Sequence, residues 1–407
     1  MDGGSSKSRQ PVQIALEPPR PLAAASEHAL LQAAYAKNPS ALPFRTKLAD
    51  LLIELDRFDE AIALLADPAA QEEFVLVLAL ARALLARKSA GDDTLALAET
   101  DRALDLAADD RESARALAEQ GKALSRLGRE DAALAAFDRA FALDRHNVSV
   151  FKRWSVAQLR LGEFGRVEAA TAELLAGGVA HARVLAARTL ALAGLGEGES
   201  AQSLVGIGSH CGQIELDVPD GWDSLSAFNA QIAAELMANP DMRYQRLGTA
   251  SLQSWRVDSP ASGTVPAVHA LLGEIARQTG QWIAALPDAL HPWIAARPER
   301  LELRCWAVIT EGEGREQWHM HPFGWLSGGY YVAVPEAVVE GSDAAGCLAF
   351  GLPGGHIGAA AAEQFGETLL RPRPGLLSLF PSHAYHSTYA HKAAGRRICL
   401  AFDLCPA

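Results

Sequence analysis

Three histidines stand out by their spacing. His319 and His321 lie two residues apart in a segment, Gln317 to Pro322, that leads into strand-like sequence. Strand alternation aims both imidazoles to one side while Met320 faces away. A third, His386, follows His321 by 65 residues in Phe380-Pro381-Ser382-His383-Ala384-Tyr385-His386, after an apolar strand that begins at Gly375. Three imidazoles on one face suit a transition metal such as iron(II) and leave positions open for a small ligand and dioxygen. Arg396 and Arg397 follow His386 by ten and eleven residues, and a guanidinium grips a carboxylate in bidentate fashion. In a strand the two arginines face opposite ways, so one looks inward, and hydrophobicity alone leaves the choice open. His383 is the alternative to His386, and His391 is a lone histidine of the ordinary kind.

The elements that must position these groups are short strands bounded by Gly and Pro: Leu301 to Thr310, Ser327 to Pro335, Gly346 to Gly351, Gly375 to Pro381 and Arg396 to Leu404. A strand from Gln213 to Val218 and helices from Leu225 to Met237 and from Pro266 to Ala285 precede them. This set suits a two-sheet jelly-roll barrel with helices packed outside. Gly324, Gly328 and Gly329 are expected at turns or at close approaches of backbone. Tyr330 and Tyr331 could both be core aromatics, and Trp318 and Trp325 could shape the rim of a site.

The first half has a different texture. Leu127-Gly128 recurs at Leu161-Gly162 and Leu195-Gly196, each step being 34 residues, and Leu55-Asp56 occupies the same turn. Gly121, Leu124, Ala133, Phe137 and Ala140 alternate small and large, as do Ala49, Leu52, Ala61 and Leu65. Antiparallel helices approach closely only where one offers Gly or Ala and a large neighbour fills the gap. A weaker unit between them carries Ala96 and Ala103, with extra residues near Lys88 to Asp93. About five such units run from Glu27 to roughly Ser209, which resembles tetratricopeptide repeats and implies a concave groove for a protein or peptide partner.

At 407 residues the chain exceeds the ~250 to 300 at which single cores stop growing, so two domains are expected. The boundaries read as a disordered tail over 1–26, a helical repeat over 27–208 and a barrel domain over 209–407. A net charge of −12 with neither half basic argues against a nucleic-acid partner. The sequence shows no secretory signal and no apolar run of membrane length, so a cytoplasmic protein away from membranes is expected. The five cysteines lack any C-x-x-C pair, which argues against a disulfide framework or zinc ribbon.

From residue 213 to 405 the chain resembles the 2-oxoglutarate- and iron(II)-dependent oxygenases built on the double-stranded β-helix. The resemblance rests on His319-Met320-His321-Pro322, on Trp325-Leu326-Ser327-Gly328-Gly329-Tyr330-Tyr331, on Phe380-Pro381-Ser382 followed by His386, and on Arg397-Ile398 leading to Ala401-Phe402-Asp403. It implies an oxygenase, a hydroxylase of a protein, peptide or small molecule. Iron(II) would be bound by His319, His321 and His386, and 2-oxoglutarate held by Arg397 with Tyr331 and Ser327 beside it. The wider superfamily places Asp or Glu where this chain has His321. Three readings follow: all three histidines bind; only His319 and His386 bind, with water or halide in the gap; or a carboxylate such as Asp343 enters from a loop. Two other functions stay open, a three-histidine dioxygenase that does not use 2-oxoglutarate and a non-catalytic repeat adapter with a vestigial metal-binding barrel.

Overall fold

The computed structural model describes residues 12–67, 72–287 and 290–407. Two compact units emerge, residues 22–167 and residues 1–21 with 168–407. The first 11 residues of the expected disordered tail lie outside the described residues.

The unit 22–167 is a run of paired helices. The Phe74–Arg87 helix is the Ala/Leu-rich run of the sequence, and Leu76, Val77, Leu78, Ala81 and Leu85 are all buried in it. Asp92–Leu106 packs next to it with Ala96 and Ala103 fully buried, and the extra residues before it form a turn through Lys88 and Gly91, both at positive φ. Asp110–Arg126 and Glu130–Leu143 form the clearest pair. A Cβ at Gly121 would lie 2.5 Å from the Phe137 ring, so only Gly admits that close approach. Asp56, Gly128 and Gly162 all turn the chain in the left-handed region, so the repeated dipeptides are helix-ending turns.

The other unit holds the sheets. The strands are β1 (Gln13–Leu16), β2 (Gly212–Glu215), β3 (Arg243–Tyr244), β4 (Ser251–Val257), β5 (Arg300–Glu316), β6 (Leu326–Ala333), β7 (Leu348–Phe350), β8 (Thr368–Leu370), β9 (Leu376–Pro381), β10 (His386–Thr388) and β11 (Arg396–Pro406). The larger sheet runs β2-β9-β6-β11-β5-β4-β3, and the smaller runs β10-β7-β8. Helices Leu225–Met237 and Pro266–Ala284 belong to the same unit, one contributing Phe228, Ile232 and Leu236 and the other Leu271, Ile275 and Ile283 to its core.

Two boundaries differ from the sequence reading. Residues 13–16 are not a disordered tail: they pair in parallel with Arg300 to Leu303. β4 covers β5 only from Ala307 onward, which leaves the first residues of β5 with open backbone groups that β1 satisfies. The last helical pair, Ala182–Gly194 and Gly198–Val205, belongs with the barrel. The carbonyl of Leu204 accepts from His383 Nε2 at 3.0 Å and from His291 Nε2 at 3.1 Å, and Gln202 Nε2 donates to the Phe365 carbonyl at 2.8 Å. Helix periodicity cannot reveal which body a helix packs against.

Among the described residues no helix is long and apolar enough to cross a membrane. In β6 the paired glycines lie within the strand and serve close approach: a Cβ on Gly328 would fall 2.5 Å from both the Phe402 ring and the Ser378 carbonyl, and one on Gly329 would fall 2.9 Å from Cys399 Sγ. Gly328→Ala should therefore destabilise the protein by ~1–3 kcal/mol, because a backbone carbonyl cannot yield as a side chain can. A urea titration comparing the variant with the wild type measures this.

Candidate functional site

His319 and His386 are set face to face by main-chain bonds. Each backbone N–H donates to the other's carbonyl at 2.9 Å, an antiparallel bridge that joins the loop after β5 to the start of β10. The His321 N–H donates to the Ser382 carbonyl at 2.9 Å, fastening the second histidine to the same loop. The ring centres of His319 and His386 are 4.1 Å apart, those of His321 and His386 4.9 Å, and those of His319 and His321 5.2 Å.

The outer nitrogen of each ring has a partner that can only accept. His319 Nδ1 bonds the Gln317 carbonyl at 2.7 Å, His386 Nδ1 the Ala384 carbonyl at 3.0 Å, and His321 Nδ1 the Asp403 carboxylate at 2.5 Å. Nδ1 therefore carries a proton on each ring, so that in the neutral imidazole Nε2 is the acceptor. One ring nitrogen from each lies within 4.8 Å of the other two, and His321 Nε2 is 3.3 Å from His319 Nε2. Two acceptor nitrogens facing at that distance are stabilised by a shared cation, so the donor set fits a metal ion.

Burial reinforces this. It lowers the pKa of His319 to about 3, with the His321 ring adding to the effect, and holds His386 well below the usual histidine range, helped by both neighbouring rings. Neutral imidazoles are the form that binds metals.

The three rings line one cavity with Arg397, Tyr331, Leu348, Phe380 and Glu316. The register of β11 decides between the arginines. Arg396 is exposed and pairs with Glu311 at 2.6 Å, whereas Arg397 is 4% exposed and turns inward. Its guanidinium carbon sits 5.2 Å from the centre of the Tyr331 ring, and its Nε has no hydrogen-bond partner. A buried guanidinium with a free donor fits a carboxylate ligand. Burial pushes the Tyr331 hydroxyl up to about 12, so it stays protonated.

Ser327, expected beside the cosubstrate, does not line this cavity. Its hydroxyl donates to Asp403 at 2.6 Å and meets Ser382 Oγ at 2.7 Å. Trp325 is not a rim residue either: it is buried, stacks on Trp293 at 4.6 Å, and the two indoles each donate to the other's carbonyl. Tyr330 is a core aromatic bonded to Asn229. His383 is buried against Leu204 and His391 against the Thr310 carbonyl, so neither joins the three rings. Asp343 caps a local turn through Ala345 and is not part of the cluster.

Two residues were missed by sequence reasoning. Asp403 sits one strand away from His321, and only the β6–β11 register, with Asp403 opposite Ser327, brings it there. Glu316 reaches the cavity from the end of β5, past a bulged stretch that erases the alternation pattern. Burial raises its carboxyl above the usual range, and its Oε1 has no partner.

Residues 304–403 match the family described as "Putative 2OG-Fe(II) oxygenase", and residues 114–147 match "Tetratricopeptide repeat". The chain is thus similar to the tetratricopeptide family over the one segment and to a 2-oxoglutarate/Fe(II) oxygenase family over the other, and the second family implies Fe(II) and 2-oxoglutarate. No curated protein matches it. Similar solved structures include a Pseudomonas putida prolyl-4-hydroxylase (16% identity, 49% of this chain and 95% of that one, TM-score 0.31). Another is a prolyl hydroxylase from Trichoplax adhaerens in complex with a hypoxia inducible factor peptide fragment (12%, 52% and 92%, TM-score 0.35). A third is a thermophilic tetratricopeptide protein from Thermus thermophilus (20%, 37% and 81%, TM-score 0.32).

The buried histidines give an acid response. Burial lowers His383 to about 4 and His319 to about 3, against an ordinary value of 6.5. Between those values and 6.5 the unfolded chain binds protons that the folded chain does not, so stability is full above pH ~6.5 and falls as the pH drops. Thermal melts of metal-free protein should give a lower midpoint at pH 4.5 than at pH 7, and His383→Gln should reduce the difference.

Proposed function

We propose that this chain is an iron(II)- and 2-oxoglutarate-dependent oxygenase that hydroxylates a protein, a peptide or a small molecule, its helical repeats serving to bind a partner or the substrate. The observation that carries the reading is three imidazoles with a ring nitrogen each turned to one point in a cavity that also holds a buried guanidinium whose Nε has no hydrogen-bond partner.

In this reading His319, His321 and His386 hold iron(II), and Arg397 takes the distal carboxylate of 2-oxoglutarate. When bound, iron(II) and 2-oxoglutarate supply the oxidation: dioxygen is divided between succinate, formed with loss of carbon dioxide, and a hydroxyl on the substrate. The chain's own share is position and exclusion of water. The Nδ1 bonds of the histidines fix ring orientation before any ion arrives, which lowers the ordering needed on binding. The Tyr331 ring lies against the Arg397 guanidinium and holds it without neutralising it, since a protonated phenol has no charge to give. Leu348 and Phe380 line the cavity and reduce water access, which strengthens the pull of Arg397 on an anion.

The all-imidazole set also supports a second reading, a three-histidine dioxygenase whose substrate chelates the metal directly and places its carboxylate on Arg397. Titration of 2-oxoglutarate into the anaerobic iron(II) protein separates the two, because only the first reading gives a metal-to-ligand charge-transfer band. Iron-dependent formation of succinate from 2-oxoglutarate, with or without cell extract as a source of substrate, tests the first directly, and its absence counts against it. His386→Ala should abolish both band and turnover. Arg397→Ala should weaken 2-oxoglutarate binding by ~2–5 kcal/mol, the effect of truncating one partner of a buried charge pair. Arg396→Ala, exposed and paired with Glu311, should leave that binding unchanged.

A further inference from the structure

The three rings differ in what holds their outer nitrogen. His319 and His386 rest on neutral backbone carbonyls, whereas the His321 N–H ends on a carboxylate. That carboxylate, Asp403, is 9% exposed. Its Oδ1 accepts from His321 at 2.5 Å and from Ser327 at 2.6 Å, and Ser382 lies behind Ser327 at 2.7 Å. Ser327 is its cross-strand neighbour in the β6–β11 register. Gly324 leaves the space for this arrangement, since a Cβ there would lie 2.4 Å from Ser382 Oγ.

Charge is the part left unexplained by packing. A buried carboxylate without a compensating cation is strongly disfavoured, and among the described residues no lysine or arginine pairs with Asp403; its one ion-pair partner is His321. The compensating charge has a place on the other side of the same imidazole, where Nε2 meets the nitrogen of His319. A carboxylate bonded to Nδ1–H makes the opposite nitrogen a stronger donor, so negative charge is passed through the ring to whatever Nε2 binds.

We infer that Asp403 is a positioning and charge-supplying residue for the metal centre, giving iron(II) through His321 the negative charge that a directly bound carboxylate provides in an oxygenase with Asp or Glu at that position. The inference rests on the reading of His319, His321 and His386 as iron(II) ligands. It explains how an all-histidine triad can hold a divalent ion in a buried cavity, since Asp403 offsets the one extra positive unit that His321 leaves relative to a carboxylate ligand. It also assigns Ser327 and Ser382 a role, orienting the Asp403 carboxylate toward the ring.

The test uses full-length protein, Fe(II) added anaerobically, and two readouts: the dissociation constant and the Fe(III)/Fe(II) midpoint potential. Asp403→Asn keeps the shape and an acceptor for His321 but removes the charge. It should weaken Fe(II) binding by roughly 10- to 100-fold and move the potential to a more positive value, since less negative charge favours the reduced ion. Asp403→Glu keeps the charge in a longer side chain and should retain more affinity than Asp403→Asn. A packing role predicts the reverse order, because Asn is the closer match in shape. Ser327→Ala, which keeps the charge and loses one donor, should have a smaller effect than Asp403→Asn. Unchanged affinity and potential in Asp403→Asn, or a Glu variant weaker than the Asn variant, would overturn the role of Asp403 alone. Wild-type protein that takes up no more Fe(II) than His386→Ala overturns the iron reading and this inference with it.

Discussion

The site in the sheet domain depends on one pair of hydrogen bonds, the reciprocal main-chain contact between His319 and His386. His319 lies in the loop that leaves the longest strand of the large sheet, and His386 opens a strand of the small sheet. No side chain chooses this contact. It is made by backbone groups, which must be paired wherever they are buried, and so it holds the two rings at 4.1 Å whatever occupies the space between them. His321 follows because its own N–H is tied to Ser382, four residues before His386. Alternation along two residues then turns it to the same side as His319.

Around that contact the site sorts charge by depth. Ring nitrogens face inward from three histidines, a cation with an unused donor stands at Arg397, and carboxyl groups lie behind the rings at Asp403 and beside them at Glu316. Each of these would be unfavourable alone in an apolar cavity. Together they describe a cavity suited to one cation and one anion. The low dielectric of such a cavity strengthens each interaction with a bound cation and anion.

The last repeat helices extend the structural support outward. Leu204 ends its helix near the barrel and offers its carbonyl to His383 and His291. His383 lies three residues before His386, so this histidine, which is not part of the cluster, anchors the loop that carries one that is.

Much of this was legible in the sequence. The 34-residue recurrence, the paired histidines two apart and the glycines of β6 are local patterns whose physics acts within a few residues or a fixed period; the repeat helices, the two long helices of the other unit and β2, β5, β6, β7, β9 and β11 fall where such patterns put them, whereas β1, β3, β4, β8 and β10 do not. The expected ranges for the strands beginning at Leu301, Ser327 and Gly375 differ from the observed ones mainly at their ends, where hydrogen bonding to neighbours decides length. Other features depend on pairs that have no sequence signature. The register of β11 against β5 placed Arg397 inside and Arg396 on Glu311; the register against β6 brought Asp403 to Ser327 and His321. β1 found its place because β5 outruns β4, and Trp325 turned from rim to core because Trp293 lies opposite it. Residue type and periodicity determined what chemistry the chain could do, since they belong to each segment by itself. Tertiary structure decided which arginine, which carboxylate and which partner each histidine has, because those depend on contacts between segments whose separation along the chain carries no information about their distance in space.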